Sequence, residues 1–158
     1  MRYVCDTPGG KTWFRFETEA EAKPEPALMR HAVDKYFRRF LAAARESYRA
    51  PAGAPTFEHS IGLKDHIARA MPLFLTLRSS DGEGLATAML PPEGRNQVNF
   101  KSVIVGPENA DPYVDQAEAI TALEKVTTSP GYKNTNGFTN LGYAYRGRIP
   151  GPPEAGKA

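Results

Sequence analysis

Apolar and polar positions alternate near the N-terminus. In KTWFRFET, Trp13, Arg15 and Glu17 interleave with Phe14, Phe16 and Thr18. A period of two in β-forming residues predicts a strand. RYVC reads as its partner, with TPGG as a tight hairpin turn in which glycine supplies positive φ. The period then changes. Over residues 27–49, Met29, Ala32, Val33, Tyr36, Phe37, Phe40, Ala43 and Ala44 fall on one half of a helical wheel. Arg30, His31, Asp34, Lys35, Arg38, Arg39, Arg45, Glu46 and Arg49 fall on the other. This predicts one amphipathic helix, with Pro26 in its first turn and APAGAP at 50–55 as its stop.

A shorter helix is expected over 61–71, capped by Ser60, striped by Leu63, Ile67, Ala70 and Met71, and ended by Pro72. Strand alternation then returns. Leu73, Leu75 and Leu77 point one way and Phe74, Thr76 and Arg78 the other. SSDGEG turns the chain, Leu85, Thr87 and Met89 continue on a return strand, and VNFKSVIVGP reads as a third. Asp111 and Pro112 mark the start of a last helix, with Val114, Ala117, Ile120, Thr121 and Leu123 on one side. From Thr127 the chain becomes rich in Gly, Asn, Tyr and Pro, and its last residues, PGPPEAGKA, have the composition of a disordered end.

The expected fold is a single α+β domain over 1–126, followed by an irregular, partly disordered extension over 127–158. Its antiparallel sheet, the N-terminal hairpin plus a three-stranded meander in one continuous layer or two separate ones, is covered by about three helices. Trp13, Phe16, Phe37, Phe40, Leu75, Leu77, Ile104 and Ile120 are the expected core. A chain of 158 residues is long enough to bury one. No apolar run approaches the about 20 residues that a membrane helix needs. With one cysteine, Cys5, no internal disulfide can form, which suits a reducing cytoplasm.

Charge is distributed unevenly behind a net +2. Residues 27–49 carry six bases against two acids, and residues 127–158 four against one. Residues 50–126 reverse the balance, with six bases and ten acids. An acidic partner would therefore meet the helix or the tail.

Candidate chemistry is sparse. Gly10-Lys11-Thr12 has the ending of a phosphate-binding loop, but Cys5 stands where that motif needs glycine, and a strand pattern follows where it needs a helix. His31, His59 and His66 lack zinc-ligand spacing, and no Gly-x-Ser-x-Gly elbow is present. No metal or cofactor is expected. Nothing singles out two of the acids in 81–118 as an acid–base pair, so an enzyme is the third reading. The order helix, three strands, helix over 60–126 resembles the double-stranded-RNA-binding domain in topology. That family contacts phosphates with lysines at the start of its second helix. GPENADPYVDQ, the corresponding stretch, has Glu108, Asp111 and Asp115 and no base, so no binding residue carries over.

Two surfaces remain. Arg30, Arg38, Arg39, Arg45 and Arg49 form a face whose guanidinium forks suit carboxylate or phosphate, set against the plainer reading of a solvated helix face. In the tail, Tyr143, Tyr145 and Arg146, with Tyr132, Lys133, Phe138 and Arg148, interleave rings and bases that can stack on single-stranded nucleic acid. The plainer reading there is a loosely packed or partner-ordered extension. The expected function is a small cytoplasmic, non-catalytic binding or regulatory protein. Its arginine face contacts an acidic protein, with the tail as a second contact. The alternative is a nucleic-acid-binding protein using the same face and the tail aromatics.

Overall fold

A computed structural model describes residues 1–53, 56–92 and 102–129, with the backbone alone for 57–59 and 143–144. Strands β1 (Arg2–Thr7) and β2 (Lys11–Arg15) form the predicted hairpin. Gly9 and Gly10 turn it at φ 85° and 75°, where a side chain would be strained. The helices α1 (Glu19–Ala22), α2 (Glu25–Met29), α3 (Val33–Ser47) and α4 (Thr56–Ala70) follow. Strands β3 (Leu73–Arg78), β4 (Gly84–Leu90) and β5 (Val103–Val105) continue the sheet, and α5 (Tyr113–Thr127) lies beyond them. Neighbours from β1 to β5 pair antiparallel in chain order, and the two-residue β6 (Tyr143–Ala144) lies parallel to β5. The hairpin and the meander are thus one continuous layer, joined through β2 and β3.

The central strand sets the layering. Leu73, Leu75 and Leu77 face α5, where they pack with Trp13, Ala86, Ala88 and Ile104 against Ala119, Ile120 and Leu123. Phe74 faces the opposite layer and packs with Phe16, Ala22, Val33, Phe37, Leu41 and Ala44. Its ring centroid lies 5.1 Å from Phe37, 5.7 Å from Phe16 and 6.0 Å from Phe40. The Trp13 indole donates to the Ala119 carbonyl at 2.8 Å, which pins α5 to the sheet without leaving a buried donor open. Each fully buried side chain of this size contributes about 1.5–3 kcal/mol relative to exposure. The expected core is buried, except that Phe40 packs only partly covered against the Phe74 side.

Several boundaries differ from the sequence expectation. The predicted single helix over 27–49 is two helices. Arg30 closes α2 in the left-handed region at φ 54°, donating its amide to the Pro26 carbonyl at 2.7 Å, and α3 begins at Val33. His31 and Arg38, seven residues apart, would share one face of an unbroken helix. The break instead turns His31 inward, where its Nε2 lies 3.0 Å from Thr87 Oγ1. Ala32 and Ala43, on the apolar half of the wheel reading, are exposed, and Leu41, which that reading put on neither half, is buried. Helix α4 starts at Thr56, which makes Ser60 an interior residue. Asp111 accepts from the Tyr113 amide at 2.9 Å, and α5 opens after Pro112. Its kink at Gln116 (φ −121°) falls where the Gln116 side chain accepts from Lys11 Nζ at 2.7 Å. The helix–three strands–helix order of 60–126 is present, with α4 and α5 on opposite faces. Expectations for 93–101 and for the tail beyond Ser129, β6 backbone apart, lie outside the described residues.

Phe74→Ala removes the ring at the centre of the α3 side and is expected to cost about 3–5 kcal/mol in chemical denaturation. A loss below about 1 kcal/mol would contradict this packing.

Candidate functional site

Beneath α2 the sheet carries a buried polar cluster that the sequence does not announce. Glu25 is fully buried, and its Oε2 pairs with an Arg78 guanidinium nitrogen. Arg78 Nε donates to Thr76 Oγ1 at 3.1 Å. Across the ladder Thr76 faces Thr87, the residue that holds His31. Burial raises the Glu25 carboxyl above the ordinary range and outweighs the opposing pull of Arg78. Burial likewise lowers the His31 imidazole below its usual value, against weaker upward contributions from its backbone and Asp34. Glu25 Oε1 and His31 Nδ1 are buried without a hydrogen-bond partner.

The backbone around this cluster is strained. Arg30, Glu108 and Asn109 are the non-glycine residues at positive φ among those described, at 54°, 57° and 61°. They are also linked, because Arg30 Nε reaches Glu108 Oε1 at 2.7 Å across the exposed junction of α2 with Pro107–Asn109. Left-handed non-glycine backbone costs on the order of 1–3 kcal/mol per residue.

A second feature is the outer face of α3. Lys35, Arg38, Arg39 and Arg45 are exposed along it, and Arg49 lies just past its end. Arg38 pairs with Asp34 at 2.8 Å in an i,i+4 arrangement, and the Arg39 guanidinium sits 5.5 Å from the Tyr36 ring centre. Arg49 donates to the carbonyls of Glu46 and Tyr48 at 2.6 and 2.9 Å. Lys35 and Arg45 have no ion-pair partner among the described residues.

The structure therefore gathers Arg38, Arg39, Arg45 and Arg49 on one surface and removes Arg30 from it. The expectation that Arg30 shares the wheel position of Arg38 and Arg45 fails because the left-handed turn ends its helix. Tyr143 is placed by backbone only, as the partner of Val103, and Tyr145 and Arg146 lie outside the described residues. The Gly10-Lys11-Thr12 triplet leads into a strand, so it presents no helix N-terminus to a phosphate. Burial, with Asp6 nearby, pushes the Cys5 thiol up to about 11, away from thiolate chemistry.

Two clefts flank the start of α5. One, of ≈ 420 Å³, lies between the hairpin turn and α5, with Lys11, Asp115 and Glu118 in its lining. The other, of ≈ 170 Å³, lies between Pro107–Pro112 and Gln116. Neither is lined by Glu25 or His31, so these clefts and the groups with shifted protonation occupy different places. Among the described residues no cluster of three or more metal-ligating side chains is present, and no helix is long and apolar enough to cross a membrane. No protein family, no curated protein and no solved structure matches the chain.

Sequence reasoning missed Glu25, Thr76, Arg78 and Thr87 as a unit. The strand alternation did place Thr76 and Arg78 on one face. Glu25 stands between two prolines in an acidic stretch, which has the composition of a solvated loop.

Two tests follow from the cluster. Arg78→Met leaves the Glu25 carboxylate buried and unpaired, for an expected loss of about 3–5 kcal/mol. The double variant Glu25→Leu/Arg78→Met removes both charges and recovers most of that loss in urea denaturation. Equal losses would contradict the pairing. His31 binds its proton less readily folded than unfolded, so its contribution is present above the unfolded pKa of about 6.5 and is lost on acidification below it. Between about pH 7.5 and 5 the wild type should lose more stability than His31→Gln, and parallel profiles would rule this out. The raised Glu25 carboxyl contributes with the opposite sign and is common to both chains.

Proposed function

We propose that this chain is a small cytoplasmic binding or regulatory protein without catalytic chemistry, and that the outer face of α3 docks an acidic protein surface. One observation carries the reading. The apolar side of α3 is committed to the Phe74 core, while Lys35, Arg38, Arg39, Arg45 and Arg49 stay exposed against Asp34 and Glu46 alone. Lys35 and Arg45 then meet carboxylates without first breaking an ion pair of the described chain. Arg39 is pre-positioned over Tyr36, which lowers the entropy lost on contact. The same guanidinium forks also fit phosphate, so nucleic acid is an outcome of the test.

Arg38→Gln, Arg39→Gln, Arg45→Gln and Arg49→Gln together should leave circular dichroism and denaturation unchanged. They should weaken capture of the partner from a native lysate by on the order of 10-fold or more, about 1.4 kcal/mol. A partner that survives nuclease supports protein docking. Capture that vanishes with nuclease, and falls steeply with salt, moves the face to nucleic acid. Undiminished capture by the quadruple variant overturns the reading.

A further inference from the structure

The two helical layers leave opposite charges open on opposite sides of the sheet. On α3, Lys35 and Arg45 are exposed and have no ion-pair partner among the described residues. On α5, Asp115 and Glu118 are exposed in the same condition. The acidic side also has shape. Asp115 and Glu118 line the ≈ 420 Å³ cleft beside the hairpin turn, next to Val114, which is 77% exposed. Lys11, the base in that lining, is held by Gln116 at 2.7 Å. A long basic side chain entering there meets two carboxylates and an apolar wall that suits its methylene stem.

We propose that a second copy of this chain is an acidic partner of the α3 face, docking front to back: α3 of one copy meets the α5 cleft of the next. This rests on the α3 face being a docking surface, as proposed above, and identifies what it docks. Each copy supplies both complementary surfaces, so charge matching requires no other molecule. Because the contact joins two different patches, one copy leaves a free patch at each end. The product is a ring or an open chain rather than a two-fold dimer.

Sedimentation velocity of the full chain tests this over a range of concentrations, at low salt and at about 0.3 M salt, where exposed charges are screened. The wild type should gain mass with concentration at low salt and lose the gain at high salt. Asp115→Lys/Glu118→Lys makes both faces basic, and Lys35→Glu/Arg45→Glu reverses the unpaired α3 charges. Each variant alone should associate at least 10-fold more weakly than wild type. An equal mixture of the two should associate, because the α3 face of the first meets the α5 face of the second.

Circular dichroism checks the fold. A variant that fails it is replaced by Asp115→Asn/Glu118→Gln or Lys35→Gln/Arg45→Gln, each with the same expected weakening. A wild type that stays monomeric at low salt overturns the inference, as does undiminished association of either variant or a mixture that fails to associate. If the arginine quadruple variant still loses a partner from lysate while the wild type is monomeric, the α3 docking face stands and only its self-pairing falls.

Discussion

Strand β3 must be buried on both faces, and the rest of the architecture answers that requirement. Its side chains from Leu73 to Leu77 are all inaccessible, with leucines to one side and Phe74 and Thr76 to the other. A strand of this kind needs a helical layer above and below. The chain supplies α5 for the leucines and α1, α3 and α4 for Phe74. Trp13 and Phe16 extend the same division into and just beyond β2, one joining each layer. Two-sided burial also explains why an antiparallel sheet, which commonly leaves one face to water, carries helices on both.

The polar cluster under α2 follows from that division. Thr76 and Thr87 sit opposite each other on the α3 side, where the aromatic packing around Phe74 gives way. Two buried hydroxyls need partners, and Arg78 and His31 supply them. Arg78 in turn needs the Glu25 carboxylate, so the short α2 is tied to the sheet through charge. The left-handed Arg30 lets one segment bury Met29, point His31 inward and send its own guanidinium outward to Glu108. A regular helix cannot satisfy all three. The break also leaves the face of α3 shorter and cleaner than a continuous helix would make it.

Much of the fold was legible because its determinants are local. Pro8, Gly9 and Gly10 dictate the hairpin turn, the period of two in 73–78 assigns each side chain to its layer, and Phe37 and Leu123 lie on stripes of helical period. The α2–α3 break was not legible. It is driven by contacts with Thr87 and Glu108, tens of residues away, and Arg30 carries no intrinsic preference for the left-handed region. Whether the sheet was one layer or two was equally non-local, since it turns on the register of β2 against β3. Of the candidate surface, Arg38, Arg39, Arg45 and Arg49 could be read from periodicity alone. The pairing of Glu25 with Arg78 could not, because burial of a carboxylate depends on what covers it.

With α3 as a docking face, the two layers have different tasks. The α3 side carries the aromatic core and shows a basic surface, while the α5 side carries the leucine core and shows carboxylates beside a cleft. The most direct measurement is an amide NMR titration of the labelled chain, at a concentration where it is monomeric, with a short oligoglutamate peptide. The predicted result is saturable shifts along 34–49, with residues 113–125 unmoved. Shifts scattered over the surface, or an α3 that does not respond, would contradict a working α3 face.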